Sequence, residues 1–319
     1  MISPVDFVQD LLNPDLAFLP KALLMAVLSS VVCGVVGTHV VLRGMAFIGD
    51  AVAHAVFPGL AVAFVLQGSL VLGGAIAGIA TALLVALFAQ NRRLREDSVI
   101  GVFFVAAFAL GIVIISTAPG YAGSLQDFLF GSIVGIPDEN VMIAVIVGLV
   151  LMTVLFAFHK ELVAVSLDRE TSRALGLPVM RLDLLLYVVV AAAIVISVQT
   201  IGNVLVLALL VTPAAAARLL TDRLGPMMLL GPAIGGVSAL VGLYLSWSLD
   251  LPVGGTIVLV ATAVFLLAWL LAPRHGVLTR FAVRRADRPK PVPPSPRRPA
   301  PLRGSSATHP PAPRTGTRR

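Results

Sequence analysis

The sequence predicts an all-α, polytopic helical membrane protein with about nine transmembrane helices. Two observations carry that prediction. The 319 residues are 58% hydrophobic and 12% charged, with a mean hydropathy of +0.99, whereas an ordinary soluble domain is about 25% charged. Long apolar runs also recur from Leu19 to Leu271, each near the roughly 20 residues that a helix needs to cross a bilayer's hydrocarbon. The expected spans are roughly 20–42, 46–66, 69–89, 98–117, 140–158, 182–199, 201–218, 226–247 and 252–272. All are helical, because an open strand cannot satisfy its backbone in lipid. On this reading 1–19 is an external N-terminal segment, 20–273 the transmembrane domain, and 274–319 a cytoplasmic basic tail rich in Pro and Arg.

Taken from the N-terminus, "MISPVDFVQDLLNPD" has three aspartates and no basic residue before Lys21. It lacks the basic n-region of a cleavable signal peptide, so the first span is expected to remain in the mature chain. That span holds the single cysteine, Cys33, which is read as packing; no disulfide or Cys-based zinc site is possible within the chain. His39, near its far end, is read as interfacial. Arg43, the arginines at 92, 93 and 95, the run from Lys160 to Arg181, Arg218 with Arg223, and the tail fall on alternate connections. That alternation puts the N-terminus outside, the tail in the cytoplasm, and the span count at an odd number.

The outer connection at 118–140 carries an apolar patch around Phe128 to Ile133, expected as a short interfacial or re-entrant element. Gln199 and Asn203 are read as interhelical hydrogen-bonding groups, and Thr212–Pro213 as a kink. Asp250, with Asp127, Asp138 and Glu139, makes the outer face acidic. From Arg274 onward there are twelve Lys or Arg against Asp287 alone, a net +11 that leaves −4 for the rest of the +7 chain. The basicity therefore belongs to the tail and does not point to nucleic acid. Residues 289–319 are of low complexity and cannot bury enough apolar surface to order themselves.

The second span carries the chemistry. In "LRGMAFIGDAVAHAVFPGLAVAFVL", residues 42–66, Asp50 and His54 stand four apart in an apolar run. That spacing puts them one above the other on one helix face. An acid at membrane depth usually faces a bundle interior or a water path, and carboxylate with imidazole suits a divalent first-row metal. Pro58 lacks the N–H that would bond the His54 carbonyl, leaving that oxygen as a further possible ligand. The plainer alternative is that Asp50 and His54 only pair with each other or cap the helix start. Two side chains do not complete a metal sphere; a two-fold homodimer would supply the pair twice.

The run "LRGMAFIGDAVAHAVFPGLA" resembles the signature of the membrane subunits of bacterial zinc and manganese importers of the ATP-binding-cassette class. "SLDRETSRALGLPVMRLD" (166–183), "VQTIGNVLVLALLVTPAAAARLLTDR" (198–223) and "YLSWSLDLPVGGTIVLV" (244–260) resemble later landmarks of that family, in order. The resemblance covers 20–272. It implies a type II importer-like permease fold in the bacterial cytoplasmic membrane, with Asp50 and His54 lining the path of a transported Zn²⁺ or Mn²⁺ and no permanently bound cofactor. It also implies a cytoplasmic ATPase and an extracellular metal-binding protein as partners.

The chain itself has no GxxxxGK[ST]; Lys21, Lys160 and Lys290 follow Pro20, His159 and Pro289. ATP hydrolysis is therefore expected from another chain. Its contact is expected in the connection 159–181, where Asp168 can cap a short helix, Gly176 can end it, and Pro178 prevents its continuation. Asp168, Glu170, Arg173, Leu175 and Gly176 are the expected coupling residues, in a segment that resembles the coupling helix of such importers; a solvated helix with no partner is the alternative. A stand-alone secondary transporter or channel remains the rival function. An intramembrane enzyme is disfavoured by the lack of HExxH and GxSxG.

Overall fold

The computed structural model describes residues 3–89, 96–116 and 136–272. The arginine cluster at 92–95, Asp127, the apolar patch at 128–133 and the basic tail lie outside the described residues.

The described residues are helical. α1 (Pro4–Leu12) and a 3-10 turn (Pro14–Leu16) precede nine helices long and apolar enough to span a membrane. These are α2 (Phe18–Leu42), α3 (Ile48–Val65), α4 (Leu70–Phe88), α5 (Glu96–Ser116), α6 (Asp138–Ala157), α9 (Val179–Ile201), α10 (Asn203–Leu220), α11 (Leu224–Leu249) and α12 (Val253–Leu271). Two short helices, α7 (His159–Leu167) and α8 (Arg169–Ala174), lie between α6 and α9. Each of the nine falls on an expected span, shifted by at most a few residues.

α2 occupies the centre, buried without interruption from Val32 to Val40, with α10 and α11 packed along it. Small residues permit that approach: a Cβ on Gly37 would collide with the Leu210 carbonyl, and one on Gly34 would stand 2.7 Å from the Pro232 nitrogen. α3 packs on α4 and α5. There Gly59 and Gly73 bring two backbones together so closely that a Cβ on either would strike the other's carbonyl oxygen.

The two ends of the bundle differ in chemistry. At one end Lys21 of α2 pairs with Asp138 of α6 at 2.5 Å, and Trp247 Nε1 of α11 donates to Asp10 Oδ2 of α1 at 2.9 Å. α1 was not anticipated by hydropathy. It is nine residues long and forms locally through a capping box between Ser3 and Asp6. Phe7 then docks edge-on against Tyr244, with ring centres 5.4 Å apart. At the opposite end α2 stops at Gly44, φ +69, in a Schellman arrangement in which Met45 N–H donates to the Val40 carbonyl and Gly44 N–H to that of Val41. The chain reverses there into α3.

His39, read as interfacial, lies one turn before this end and is fully buried among the neighbouring helices.

Candidate functional site

Asp50 stands in the first turn of α3 and His54 in the second, so both lie near the end of the bundle that carries α7 and α8. The amide dipoles of a helix start favour a carboxylate at Asp50, and its charge is within electrostatic reach of the His54 ring. Both side chains are part-exposed, between Ile48, Gly49, Ala51, Val52 and Ala53, all fully or nearly fully buried.

The His54 ring sits edge-on against two phenylalanines of α5, with centres 5.1 Å from Phe104 and 5.2 Å from Phe108. These aromatics hold the ring from one side. His54 Nδ1 is buried with no hydrogen-bond partner. Buried polar nitrogens are ordinarily satisfied, and this one has no partner among the surrounding side chains. α3 continues through Pro58, and Gly111 of α5 passes against Phe57 and Pro58, which fixes the spacing of the two helices just beyond the site.

Among the described residues, no group of three His, Cys, Asp or Glu comes together to hold a metal ion. Asp50 and His54 are the two candidate ligands that α3 carries.

The expected coupling segment folds locally as its sequence dictates. Asp168 caps α8, accepting from the backbone N–H of Glu170 at 2.9 Å and of Thr171 at 3.1 Å, and from the Thr171 hydroxyl at 2.5 Å. The Thr171 hydroxyl above all, with the backbone donors, holds the Asp168 carboxyl below the usual range. Gly176, φ +80, ends α8 in a second Schellman arrangement, with Leu177 N–H on the Ser172 carbonyl. Leu175 is 74% exposed and Leu167, just before the cap, 82%. Glu170 and Arg173 share this exposed helix, on which only Ser172 is buried.

Two residues outside the expected coupling set, Arg43 and Asp183, complete this region. Asp183, in the first turns of α9, accepts from Arg43 Nη1 at 2.5 Å and from Arg169 Nη2 at 3.1 Å. Arg43 Nε also donates to Ser166 Oγ of α7 at 2.9 Å. The turn that begins α3, the α7–α8 segment and the start of α9 thus meet at one carboxylate. Arg43 and Asp183 are 140 residues apart, and neither shows its partner in sequence; only an acid inside an expected span at 182–199 was available as a signal. A cavity of about 420 Å³ lies beside this cluster, lined by Leu42, Arg43 and Val165 to Arg169.

Elsewhere in the bundle, Cys33 is buried with its Sγ 3.8 Å from Ser197 Oγ, and Asn203 is buried with its Oδ1 unpartnered. Asp250 closes α11 in the left-handed region at φ +53.

The fold and the polar pair define a multi-pass helical membrane protein with a candidate ion site on α3. Residues 15–272 match the ABC 3 transport family, and the chain belongs to that family. It is 40% identical over 265 residues to the manganese transport system membrane protein MntC of Halalkalibacterium halodurans, covering 83% of this chain and 91% of that one. It is 38% identical over 276 residues to the chelated iron transport system membrane protein YfeC of Yersinia pestis, covering 86% and 94%. Among solved structures, PsaBC from Streptococcus pneumoniae in complex with Fab superposes with a TM-score of 0.77 at 32% identity, covering 88% of this chain and all of that one.

Proposed function

We propose that this chain is the membrane subunit of an ATP-binding-cassette importer that carries a divalent first-row metal inward by alternating access. Mn²⁺ is the first candidate and Zn²⁺ the second. The observation that carries the reading is the Asp50–His54 pair on one face of α3, with His54 Nδ1 unpartnered against its phenylalanine wall. A hard carboxylate oxygen beside an imidazole suits Mn²⁺ and Zn²⁺ alike. The tilt toward manganese rests on the names of the relatives.

A homodimer related by a two-fold axis brings two such pairs to one path and supplies four ligands. Energy comes from a separate ATPase, which docks on α8 and on the exposed Leu167 and Leu175 beside it. An extracellular metal-binding protein delivers the cargo at the opposite, acidic end. The N-terminus is outside and the Arg43–Arg169 end is cytoplasmic, in keeping with the positive charge of its connections.

The test is the metal content of cells lacking this chain, measured element by element. Depletion of manganese, or of zinc, that is restored by the wild-type chain together with its ATPase supports the reading. Uptake that persists when every ATPase partner is removed identifies an ATPase-independent transporter instead.

A further inference from the structure

We infer that His39 of α2 and His159 of α7 form a second metal site, a two-imidazole bridge that takes a borderline divalent cation, Zn²⁺ in the first place. His39 is completely buried, and both of its ring nitrogens lack a hydrogen-bond partner. His159 is half-buried and its Nδ1 is likewise buried and unpartnered. The ring centres are 6.1 Å apart with planes at 77°. Buried polar nitrogens are ordinarily satisfied, and here three of them stand unpartnered on two neighbouring rings.

The distance suits a bridging ion. An imidazole nitrogen lies about 1.1 Å from its ring centre and a Zn–N bond is about 2.0–2.1 Å, so one ion spans centres about 6.4 Å apart in line and about 5.2 Å apart at a tetrahedral angle. The observed separation falls between the two. Closure by less than about 1 Å, within the reach of small ring rotations, gives the tetrahedral bridge. The part-exposed side of His159 admits water for the remaining positions.

The donor set also sets the preference. Two neutral nitrogens without a carboxylate favour Zn²⁺, Co²⁺ or Cu²⁺ over Mn²⁺, which stands at the weak end of the divalent series. Arg43, one turn beyond His39, would oppose a cation, but its guanidinium is paired with Asp183. Glu161 Oε2 on α7 is buried and unpartnered, but a residue two along a helix does not face the same side as His159. Below this bridge Arg43 Nε already ties α2 to Ser166 of α7. An ion between His39 and His159 adds a second tie between the same helices, pinning the segment that leads into α8.

Co²⁺ titration of the purified full-length chain in detergent tests this directly. It is carried out in an Asp50→Ala/His54→Ala background, so that the candidate transport site contributes nothing. The expected result is a tetrahedral d–d absorption that saturates at one Co²⁺ per chain and is displaced by Zn²⁺. Adding His39→Gln or His159→Gln weakens binding at least tenfold, and Zn²⁺ no longer raises the melting temperature. His159→Gln changes a half-buried position and remains informative if His39→Gln fails to fold. Absence of Co²⁺ binding in the background chain overturns the inference, as does unchanged binding in His159→Gln. Neither outcome bears on Asp50 and His54, whose role is read separately by uptake.

Discussion

The Arg43 guanidinium donates to the Asp183 carboxylate at 2.5 Å, and the two side chains are only 4% and 8% exposed. Arg43 caps the end of α2 just before the turn into α3, and Asp183 anchors the start of α9 while also receiving Arg169. Removing one member of a buried pair leaves the other charge uncompensated, which costs about 3–5 kcal/mol. Asp183→Ala is therefore expected to lower the melting temperature in detergent sharply and to reduce the amount of protein in the membrane. Arg169→Ala is expected to cost less than about 1 kcal/mol, because its side chain is 38% exposed and water screens the interaction. Equal losses for the two variants would contradict the ranking.

His54→Ala should abolish metal uptake while the chain still assembles. Its ring contributes edge-on contacts to Phe104 and Phe108 worth about 0.5–1.5 kcal/mol each, too little to unfold a bundle of this size. Uptake at the wild-type rate by membranes that contain His54→Ala at normal abundance removes His54 from the site.

Leu175→Asp should reduce recovery of the ATPase in pull-down from detergent-solubilised membranes without changing the chain's own stability. At 74% exposure Leu175 contributes little to internal packing, so an effect on association reports a covered surface. Burying an unpaired carboxylate at an interface costs several kcal/mol, against about 0.5 kcal/mol for a change on a solvated loop. Equal recovery assigns α8 to solvent and moves the docking contact elsewhere, with Arg218 to Arg223 the next candidate.

Gly73→Leu should misassemble the chain. A side chain there would strike the Gly59 carbonyl and the Ala63 methyl group, forcing α4 away from α3. Gly236→Ala, where a Cβ meets nothing within 4 Å, is the control and should leave abundance unchanged. Comparable loss in both would mean that the α3–α4 approach is not what limits assembly.

Deleting 289–319 should leave uptake nearly intact, since the segment follows the last span and has no apolar face to pack. Loss of ATPase recovery on truncation would give the tail a docking role.

The nine spans were legible because lipid imposes length and hydropathy on each one separately. α1 was not, since it is short and depends on a local capping box and one aromatic contact. α7 is hidden for a related reason: His159, Lys160 and Glu161 open it with polar residues, and only its packing against α2 and α9 buries Leu162 and Val165. Within the candidate site, Asp50 and His54 were visible because one helix carries both, at a spacing that defines a face. The caps of α8 were visible for the same local reason. Asp183 with Arg43, and His39 with His159, join residues from distant parts of the chain, and nothing in either local sequence names the partner.

Uptake of manganese by cells that carry Asp50→Asn in place of the wild-type chain, with its abundance and its ATPase recovery measured in the same membranes, tests the central claim most directly. The substitution keeps the shape of the side chain and removes its charge. Loss of uptake at wild-type abundance and wild-type ATPase recovery is the predicted result. Unchanged uptake would show that the carboxylate's charge has no part in moving the ion.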